Sequence, residues 1–180
     1  MQKLYLSAVA FFLLCFVVCI HDTGARRQES PLAFIKAQEK KHKDAGAEVY
    51  LGKVMTINYQ VNSVAADERY HPFLLELTDV LKTPMRKSYR IVLKGFCDKT
   101  GTVDLNRKVS LKRGEVLKQV LINQFYMKGE RIATQGVGST HPVASNETPD
   151  GRYRNRRVEI HLYGTVSDMA YLSNKEEEAK

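Results

Sequence analysis

The sequence predicts an α+β domain in which helices cover one face of a β-sheet. Segments of alternating apolar and polar residues, typical of half-buried strands, are separated by segments in which leucine and valine recur at helical spacing. These segments follow the order β-α-β-α-β-β, which favours a two-layer α/β sandwich. The 180 residues, 43% of them apolar, suit one globular domain with extensions.

The first strand and the first helix are predicted between residues 54 and 84. The apolar face of the strand is formed by alternate residues: Met55, Ile57, Tyr59 and Val61. Pro72 suits the first turn of the helix and Pro84 ends it. The leucines at helical spacing between them are Leu74, Leu77 and Leu81.

The second strand is predicted at residues 89–94 and the second helix at about 104–126, with Asp104 as its N-terminal cap. The apolar stripe of this helix comprises Leu105, Val109, Val116, Leu117, Val120 and Leu121. Gly114 costs about 1 kcal/mol relative to alanine in a helix, so it is predicted to mark close packing against the sheet. A third strand is predicted at 131–137, a loop at 139–151 and a last strand at 157–163.

Arg113 falls on the apolar stripe of the second helix. A guanidinium that faces inward needs an anionic partner or a ligand, because an unpaired buried charge is costly. Asp98, which follows the second strand, is predicted to share its pocket. One interpretation is a ligand site, and the other is an internal salt bridge between Asp98 and Arg113 that fixes the loop to the helix.

Residues 1–25 are predicted to be a signal peptide or an N-terminal membrane anchor, because Lys3 precedes an apolar run. Cleavage after Ala25 and retention as an anchor stay equally open. A lipoprotein is third, since neither Cys15 nor Cys19 follows a small residue. All three alternatives place the rest of the chain outside the cytoplasm.

Residues 26–47 are polar and basic, and we expect a solvated tether that could contact anionic headgroups; a short helix over 33–43 is an alternative. The domain is predicted at 48–164, and a polar tail at 165–180, with disorder as the default. The net charge of +8 suits an anionic partner, which could be nucleic acid, an acidic polymer or a membrane surface.

Glycines, polar residues and charged residues stand in a fixed order and spacing after the second strand: Gly95, Asp98, Gly101, Asn106, Ser110, Arg113, Arg131, Gly136, Gly138, Pro142 and residues 155–158. This pattern resembles the OmpA-like peptidoglycan-binding domain, the family of the OmpA, Pal and MotB C-terminal domains. The resemblance implies the same two-layer fold. It also implies binding of peptidoglycan without chemistry or cofactor, chiefly through the diaminopimelate residue of the stem peptide.

The resemblance also implies roles for single residues. Asp98 would accept the ammonium group of the ligand, and Arg113 would bind a carboxylate through a two-pronged contact. Asn106 would bond to the ligand or orient the loop, and Arg156 would supply a further contact. Only one of Arg156 and Arg157 is expected to reach the site, because neighbours on a strand point to opposite faces.

Two residues of the predicted peptidoglycan-binding site depart from the family pattern. Phe96 stands where the family usually has histidine, and Cys97 replaces a small residue beside Asp98. We expect binding to survive, weakened or with an altered preference among stem peptides. Asn155 is expected to stabilise a turn rather than to contact the ligand directly.

Catalysis and metal binding are not predicted. No cysteine-hydrolase motif accompanies Cys97, and Asp98 would raise the pKa of its thiol. The histidines at 71, 141 and 161 lack the paired spacing of metal ligands.

The sequence thus predicts a non-enzymatic protein of the bacterial cell envelope. It would lie in the periplasm, associated with the outer membrane or anchored by its N-terminal segment. The alternative is a wall-anchoring accessory subunit of a secretion or motility complex, with envelope proteins as partners. A basic nucleic-acid-binding module is a weaker alternative, and no nucleic acid is expected as a partner.

Overall fold

The structure, a computed structural model, describes residues 30–41 and 48–165. Within these ranges the elements follow in the order α1 (Pro31–Lys41), β1 (Val49–Asn58), α2 (His71–Lys82), β2 (Arg90–Phe96), α3 (Val103–Asn123), β3 (Ile132–Gly138), α4 (Pro149–Asn155) and β4 (Arg157–Gly164). Short 3₁₀ turns precede α2 and link α2 to β2 and α3 to β3.

The four strands form one sheet in the order β1-β4-β2-β3. Strands β2 and β3 are parallel, and β4 is antiparallel to both β1 and β2. The core combines apolar residues of all four strands with leucines of α2 and α3. The predicted α+β architecture is therefore confirmed.

Strand β1 starts earlier and ends earlier than the sequence predicts. It begins at Val49 and pairs with β4 through two register irregularities, which interrupt the alternation that a regular strand would show. The predicted face is correct for Met55, Ile57 and Tyr59, which are buried. Val61 is 64% exposed, because the strand ends at Asn58.

The predicted cap and stripe of α3 need correction. Thr102 caps the helix, with its Oγ1 atom accepting a hydrogen bond from the Leu105 amide at 3.3 Å, whereas Asp104 lies in the first turn. Leu105 is 53% exposed. The buried residues of α3 are Asn106, Ser110, Arg113, Gly114, Leu117 and Leu121. The N-terminal half of this stripe is polar because it lies against glycines of the sheet, where a large side chain has no space.

Helix α1 corrects the prediction of a solvated tether for Pro31–Lys41. Ile35 is fully buried in the core. Glu39 accepts two hydrogen bonds from Arg86, at 2.6 and 2.9 Å, and a third from the Tyr89 hydroxyl at 2.8 Å. Ile35, with Phe34 packed against the core, and the buried ion pair of Glu39 thus dock a segment whose composition is typical of a linker. The remainder of the predicted tether, residues 26–29 and 42–47, lies outside the described residues.

Helix α4 occupies part of the predicted loop 139–151. Its N-terminal cap is Thr148, whose Oγ1 accepts a hydrogen bond from the Gly151 amide at 3.1 Å. Seven residues that include proline and glycine carry too little periodicity to predict a helix.

The predicted signal peptide or anchor at residues 1–25 lies outside the described residues, as does the tail from residue 166. Among the described helices, none is long and apolar enough to cross a membrane.

Helix α3 approaches the sheet most closely at Gly95 of β2 and Gly136 of β3. A Cβ atom at Gly95 would lie 1.9 Å from the Ser110 carbonyl oxygen, and one at Gly136 would lie 2.7 Å from the Arg107 carbonyl oxygen. Gly114 also faces the sheet, but its nearest contact would be 3.6 Å, an ordinary van der Waals distance. The close approach predicted at Gly114 is therefore a property of the two strand glycines.

We expect opposite effects from two glycine-to-alanine substitutions. Gly95→Ala forces α3 backbone away from β2, and we expect it to cost about 3 kcal/mol or more of the free energy of unfolding. Gly114→Ala places a methyl group in available space and should stabilise the protein by up to about 1 kcal/mol. Urea unfolding followed by circular dichroism measures both. Equal effects of the two substitutions would contradict the assignment of the close contact.

Candidate functional site

The candidate site lies where the parallel strands β2 and β3 end and α3 begins. The segments after both strands meet at this edge of the sheet, because parallel strands point their carboxyl ends the same way. Asp98 lies two residues after β2, and its side chain is held by Arg156 and Thr100. Arg156 Nη1 donates to Oδ2 of Asp98 at 2.7 Å, and the Thr100 amide donates to Oδ1 at 2.9 Å.

Asp98 is only 6% exposed, but its carboxyl group is stabilised in its charged form. Burial by itself raises the pKa of this carboxyl, but the hydrogen bonds from Arg156 and Thr100 outweigh burial and lower the pKa below its ordinary value. Asp98 therefore presents a fixed negative charge at neutral pH.

Arg113 projects from α3 into the same region and is only 2% exposed. Its Nε donates to the Ser63 carbonyl at 3.0 Å, and its Nη1 donates to the Phe96 carbonyl at 3.2 Å. Its guanidinium carbon lies 5.1 Å from the centre of the Tyr59 ring. All of these partners are uncharged, and none of the ion pairs among the described residues includes Arg113. Burial lowers the pKa of this guanidinium.

The interpretation of Asp98 and Arg113 as an internal salt bridge is wrong. Asp98 pairs with Arg156, while Arg113 is held by main-chain carbonyls. Arg113 nevertheless lies next to the segment that carries Asp98, since its Nη1 donates to the Phe96 carbonyl and lies 3.6 Å from the Cys97 sulfur. The structure thus brings together one carboxylate and two guanidinium groups.

Arg156 reaches Asp98 because it lies at the C-terminal end of α4, just before β4. Its Nε donates to the Tyr59 carbonyl at 3.1 Å, which fixes the side chain at the end of β1. Arg157 points to the opposite face of the sheet, where its guanidinium carbon lies 3.8 Å from the centre of the Phe96 ring. The prediction that only one of the two arginines reaches the site agrees with this geometry.

The ring of Phe96 is not in the candidate site, which corrects its assignment as a binding residue. Gly95 faces α3, so the next residue of β2 faces the other side of the sheet, against Arg157. Phe96 contributes to the site through its carbonyl oxygen alone, which accepts from Arg113.

Cys97 and Asn106 lie beside the two charges and bind protein groups. The Cys97 thiol donates to the Asn106 carbonyl at 3.3 Å, and Arg113 Nη1 lies 3.6 Å from the sulfur. Burial is the main cause that raises the pKa of this thiol, with Asp98 contributing less. Asn106 Nδ2 donates to the Ser139 hydroxyl at 3.4 Å, a contact between α3 and the loop after β3. The described residues contain no cluster that could hold a metal ion.

Asn155 is fully buried and stabilises the loop before α4, as predicted. Its Oδ1 accepts from the amides of Val143 and Ala144, at 2.8 and 3.1 Å, and its Nδ2 donates to Asn146 Oδ1 at 3.0 Å. The same Asn146 oxygen accepts from the Lys99 amide at 3.0 Å. Asn146, which the sequence analysis missed, therefore links this loop to the residue next to Asp98.

The model of the OmpA family matches residues 58–156, more than half of the chain and all of the candidate site. The chain belongs to the OmpA family. It is 42% identical over 71 residues to peptidoglycan-binding protein ArfA of Mycobacterium tuberculosis, a match that covers 39% of this chain and 22% of that protein. It is 30% identical over 115 residues to outer membrane protein Omp38 of Acinetobacter baumannii, covering 64% and 32%. The matched segments thus span a fifth to a third of these relatives.

Solved structures of the family share the fold. The peptidoglycan-associated lipoprotein from Burkholderia pseudomallei has a TM-score of 0.55 at 20% identity, covering 59% of this chain and 88% of that one. The cell wall anchor of the T6SS from Pseudomonas aeruginosa has a TM-score of 0.51 at 26% identity, covering 77% and 99%. The expected family and fold are therefore confirmed.

Tyr59 is a further residue of the site in this OmpA-family chain that the sequence analysis assigned only to the core. Its ring contacts the guanidinium of Arg113, and its carbonyl accepts from Arg156. Its hydroxyl is buried with no hydrogen-bond partner among the described residues, and burial raises its pKa. The sequence could have indicated this role, because Tyr59 is the last buried residue of the apolar alternation and comes directly after β1, at the edge of the sheet that carries the site.

A second charged cluster lies on the opposite face of the sheet around Glu159. Oε1 of Glu159 accepts from Arg157 Nε at 2.8 Å and from Lys53 Nζ at 3.4 Å, and Oε2 lies 3.0 Å from His161 Nε2. His161 Nδ1 lies 2.6 Å from the Tyr50 hydroxyl. Burial raises the pKa of Glu159, but the hydrogen bonds from His161 and Arg157 outweigh it and lower the pKa to about 2.

Glu159 should make the stability of the protein depend on acid pH. Its pKa is lower in the folded state than the ordinary value of 4.5, so its contribution is complete above that value and is lost as the pH falls towards 2. We expect the unfolding free energy to fall over this window, by on the order of 2 kcal/mol from Glu159. Urea unfolding between pH 6 and pH 2.5 measures the loss.

Glu159→Gln should lower stability at pH 6 and flatten the acid dependence. Glu115→Gln, an exposed change of the same charge on α3, is the control and should leave the profile as in wild type. An unchanged profile for Glu159→Gln would show that the cluster does not contribute.

Proposed function

We propose that this domain binds peptidoglycan non-covalently through diaminopimelate in its stem peptide, and thereby ties a membrane or an envelope complex to the cell wall. The observation that carries the proposal is that an ionised Asp98 and a buried Arg113 that contacts no carboxylate lie at the same sheet edge of an OmpA-family domain. An end group with one ammonium and one carboxylate needs one fixed charge of each sign.

The geometry of Asp98 leaves room for a second cation. A carboxylate has about four acceptor positions, and Asp98 uses one for Arg156 and up to two for the amide and side chain of Thr100. An ammonium group of the ligand can therefore bind Asp98 without displacing Arg156. The positive charge of the ammonium group adds to the charges of Arg113 and Arg156. The carboxylate of the same ligand is needed to balance this added charge.

Arg113 is the proposed partner of that carboxylate. Its Nε and Nη1 atoms are engaged by main-chain carbonyls, and no described residue accepts a hydrogen bond from its Nη2. Because its position is fixed before the ligand arrives, little side-chain entropy is lost on binding. Asn106 and Cys97 act indirectly here, by holding the loop and the start of α3 around these charges.

The names of relatives support the envelope location of the proposed activity. ArfA is named a peptidoglycan-binding protein, and Omp38 an outer membrane protein. We place this chain in the periplasm, associated with the outer membrane or anchored by residues 1–25. We propose binding without catalysis, which suits the raised pKa of the Cys97 thiol, since the thiolate is the nucleophilic form.

The test is a pull-down of the full chain on purified sacculi that contain diaminopimelate, at moderate salt. Asp98→Asn keeps the size of the side chain and removes the charge, and we expect binding to fall at least about tenfold, the range for loss of a charge-assisted contact. Arg113→Lys keeps the positive charge but loses the planar guanidinium that can bind a carboxylate through two N–H groups, and it should also weaken binding. Free diaminopimelate should compete with sacculi for the wild-type protein.

The matched control is Asp150→Asn, the same change at an exposed carboxylate on α4 that pairs with Arg154. It should bind as wild type does. If Asp98→Asn also retained full binding, attraction by net charge rather than the pocket would hold the protein to the wall, and the proposal would fail.

A second candidate function is an accessory subunit of a secretion or motility complex. The chain matches 99% of the cell wall anchor of the T6SS from Pseudomonas aeruginosa at 26% identity. We expect gentle cross-linking of cells followed by purification to recover stoichiometric envelope proteins if this candidate is correct. A simple wall tether should recover none, so recovery of the protein without stoichiometric partners would reject the second candidate.

A further inference from the structure

Three side chains form a cluster that has no part in the proposed function: Arg69, Tyr70 and Tyr153. Arg69 lies in the turn before α2, and its Nη2 donates to the hydroxyls of Tyr70, at 3.3 Å, and Tyr153. Its guanidinium carbon lies 5.0 Å from the centre of the Tyr70 ring. An exposed arginine is thus fixed by two phenols that belong to different parts of the chain.

Tyr153 connects this arginine to the candidate site. The guanidinium carbon of Arg156 lies 5.9 Å from the centre of the Tyr153 ring, within the range of a cation–π contact. Arg156 in turn pairs with Asp98. Arg69, Tyr153, Arg156 and Asp98 therefore form a continuous row from the surface to the carboxylate, which we call the Arg69–Asp98 row.

Asn58 fixes the two tyrosines that bind Arg69. The amide of Asn58 donates to the Tyr70 hydroxyl at 3.0 Å, and its side-chain Nδ2 donates to the carbonyls of Tyr153 and Arg154 at 3.3 and 3.2 Å. One residue at the end of β1 thus fixes both tyrosines that hold Arg69.

The charge of this region exceeds what a zwitterionic end group balances. Asp98 supplies one negative charge against the two positive charges of Arg113 and Arg156, and an end group with one ammonium and one carboxylate adds none. Arg69 adds positive charge, and its carboxylate neighbour Asp67 lies 4.0 Å away with both side chains about half exposed, a weak pair. This excess of positive charge favours a ligand that has more carboxylates than ammonium groups.

We propose that Arg69 and Tyr153 form a second subsite, which binds a further carboxylate of the stem peptide beside the end group held at Asp98 and Arg113. This proposal rests on the proposed function and extends it from one amino acid to a peptide. The hydrogen bonds to the tyrosines use the two N–H groups of Nη2, so the guanidinium retains donors for a carboxylate.

The test compares three ligands by isothermal titration calorimetry with the full chain in mild detergent. The ligands are free diaminopimelate, a diaminopimelate tripeptide with a free α-carboxylate on its glutamyl residue, and the same tripeptide with that carboxylate amidated. Wild type should prefer the free acid over the amide by about fivefold, the range for one exposed charge-assisted contact. Arg69→Gln should reduce this preference to less than about twofold while leaving the affinity for free diaminopimelate unchanged.

Two further variants complete the design. Arg154→Gln removes the same charge from an exposed residue next to Tyr153 and should keep the wild-type preference. Tyr153→Phe removes the hydroxyl that holds Arg69 and should reduce the preference, because the arginine loses its fixed position.

The outcomes separate the two proposals. If Arg69→Gln discriminates between the tripeptides as wild type does, the second subsite is wrong while the proposed function stands. If the wild-type protein binds none of the three ligands, the proposed function fails and the subsite fails with it. Equal loss of preference in Arg69→Gln and Arg154→Gln would assign the effect to net charge and overturn the subsite.

Discussion

The candidate site depends on the direct contact between the backbone of α3 and two glycines of the sheet. Gly95 and Gly136 bring the carbonyls of Ser110 and Arg107 against β2 and β3 at distances that no side chain would permit. The Ser110 hydroxyl also accepts a hydrogen bond from the Gly138 amide at 3.0 Å, which fixes the helix to the end of β3. Because these contacts hold α3 close against the sheet, Arg113, one helical turn after Ser110, projects towards the end of the sheet and is buried there.

The electrostatics of the site follow from this placement. A guanidinium held between β2 and the loop after β1 loses much of its hydration, and main-chain carbonyls compensate with dipoles rather than with a full charge. Asp98 is ionised through a different partner, Arg156, and therefore does not neutralise Arg113 by direct contact. The site remains positively charged overall, with its two arginines and its aspartate held by separate parts of the chain. A zwitterionic or anionic ligand suits this arrangement better than a cation does.

Much of the fold and part of the site could be predicted from the sequence. Leucines at helical spacing located α2, and the motif pattern placed Asp98 and Arg113 at the same sheet edge. The side of the sheet that Phe96 faces was also predictable, since it follows from the alternation after Gly95. The ion pair between Asp98 and Arg156 could not be predicted. Arg156 is 58 residues away from Asp98 and follows α4, a helix that the sequence pattern does not indicate.

The sequence analysis favoured neither of the helices α1 and α4, and the physical reason is the same for both. Hydrophobic periodicity reports which face of an element is buried, but it does not report the individual side-chain hydrogen bonds and ion pairs that also fix α1 and α4. Helix α1 has one buried aliphatic residue and an ion pair to Arg86, and α4 is held by Thr148 and Asn155. Helix α4 supplies Tyr153 and is followed by Arg156, which contacts the Tyr153 ring and binds Asp98. The proposed ligand preference of this chain therefore depends on a segment whose structure is determined by individual polar contacts, and substitutions there can change the ligand without changing the fold.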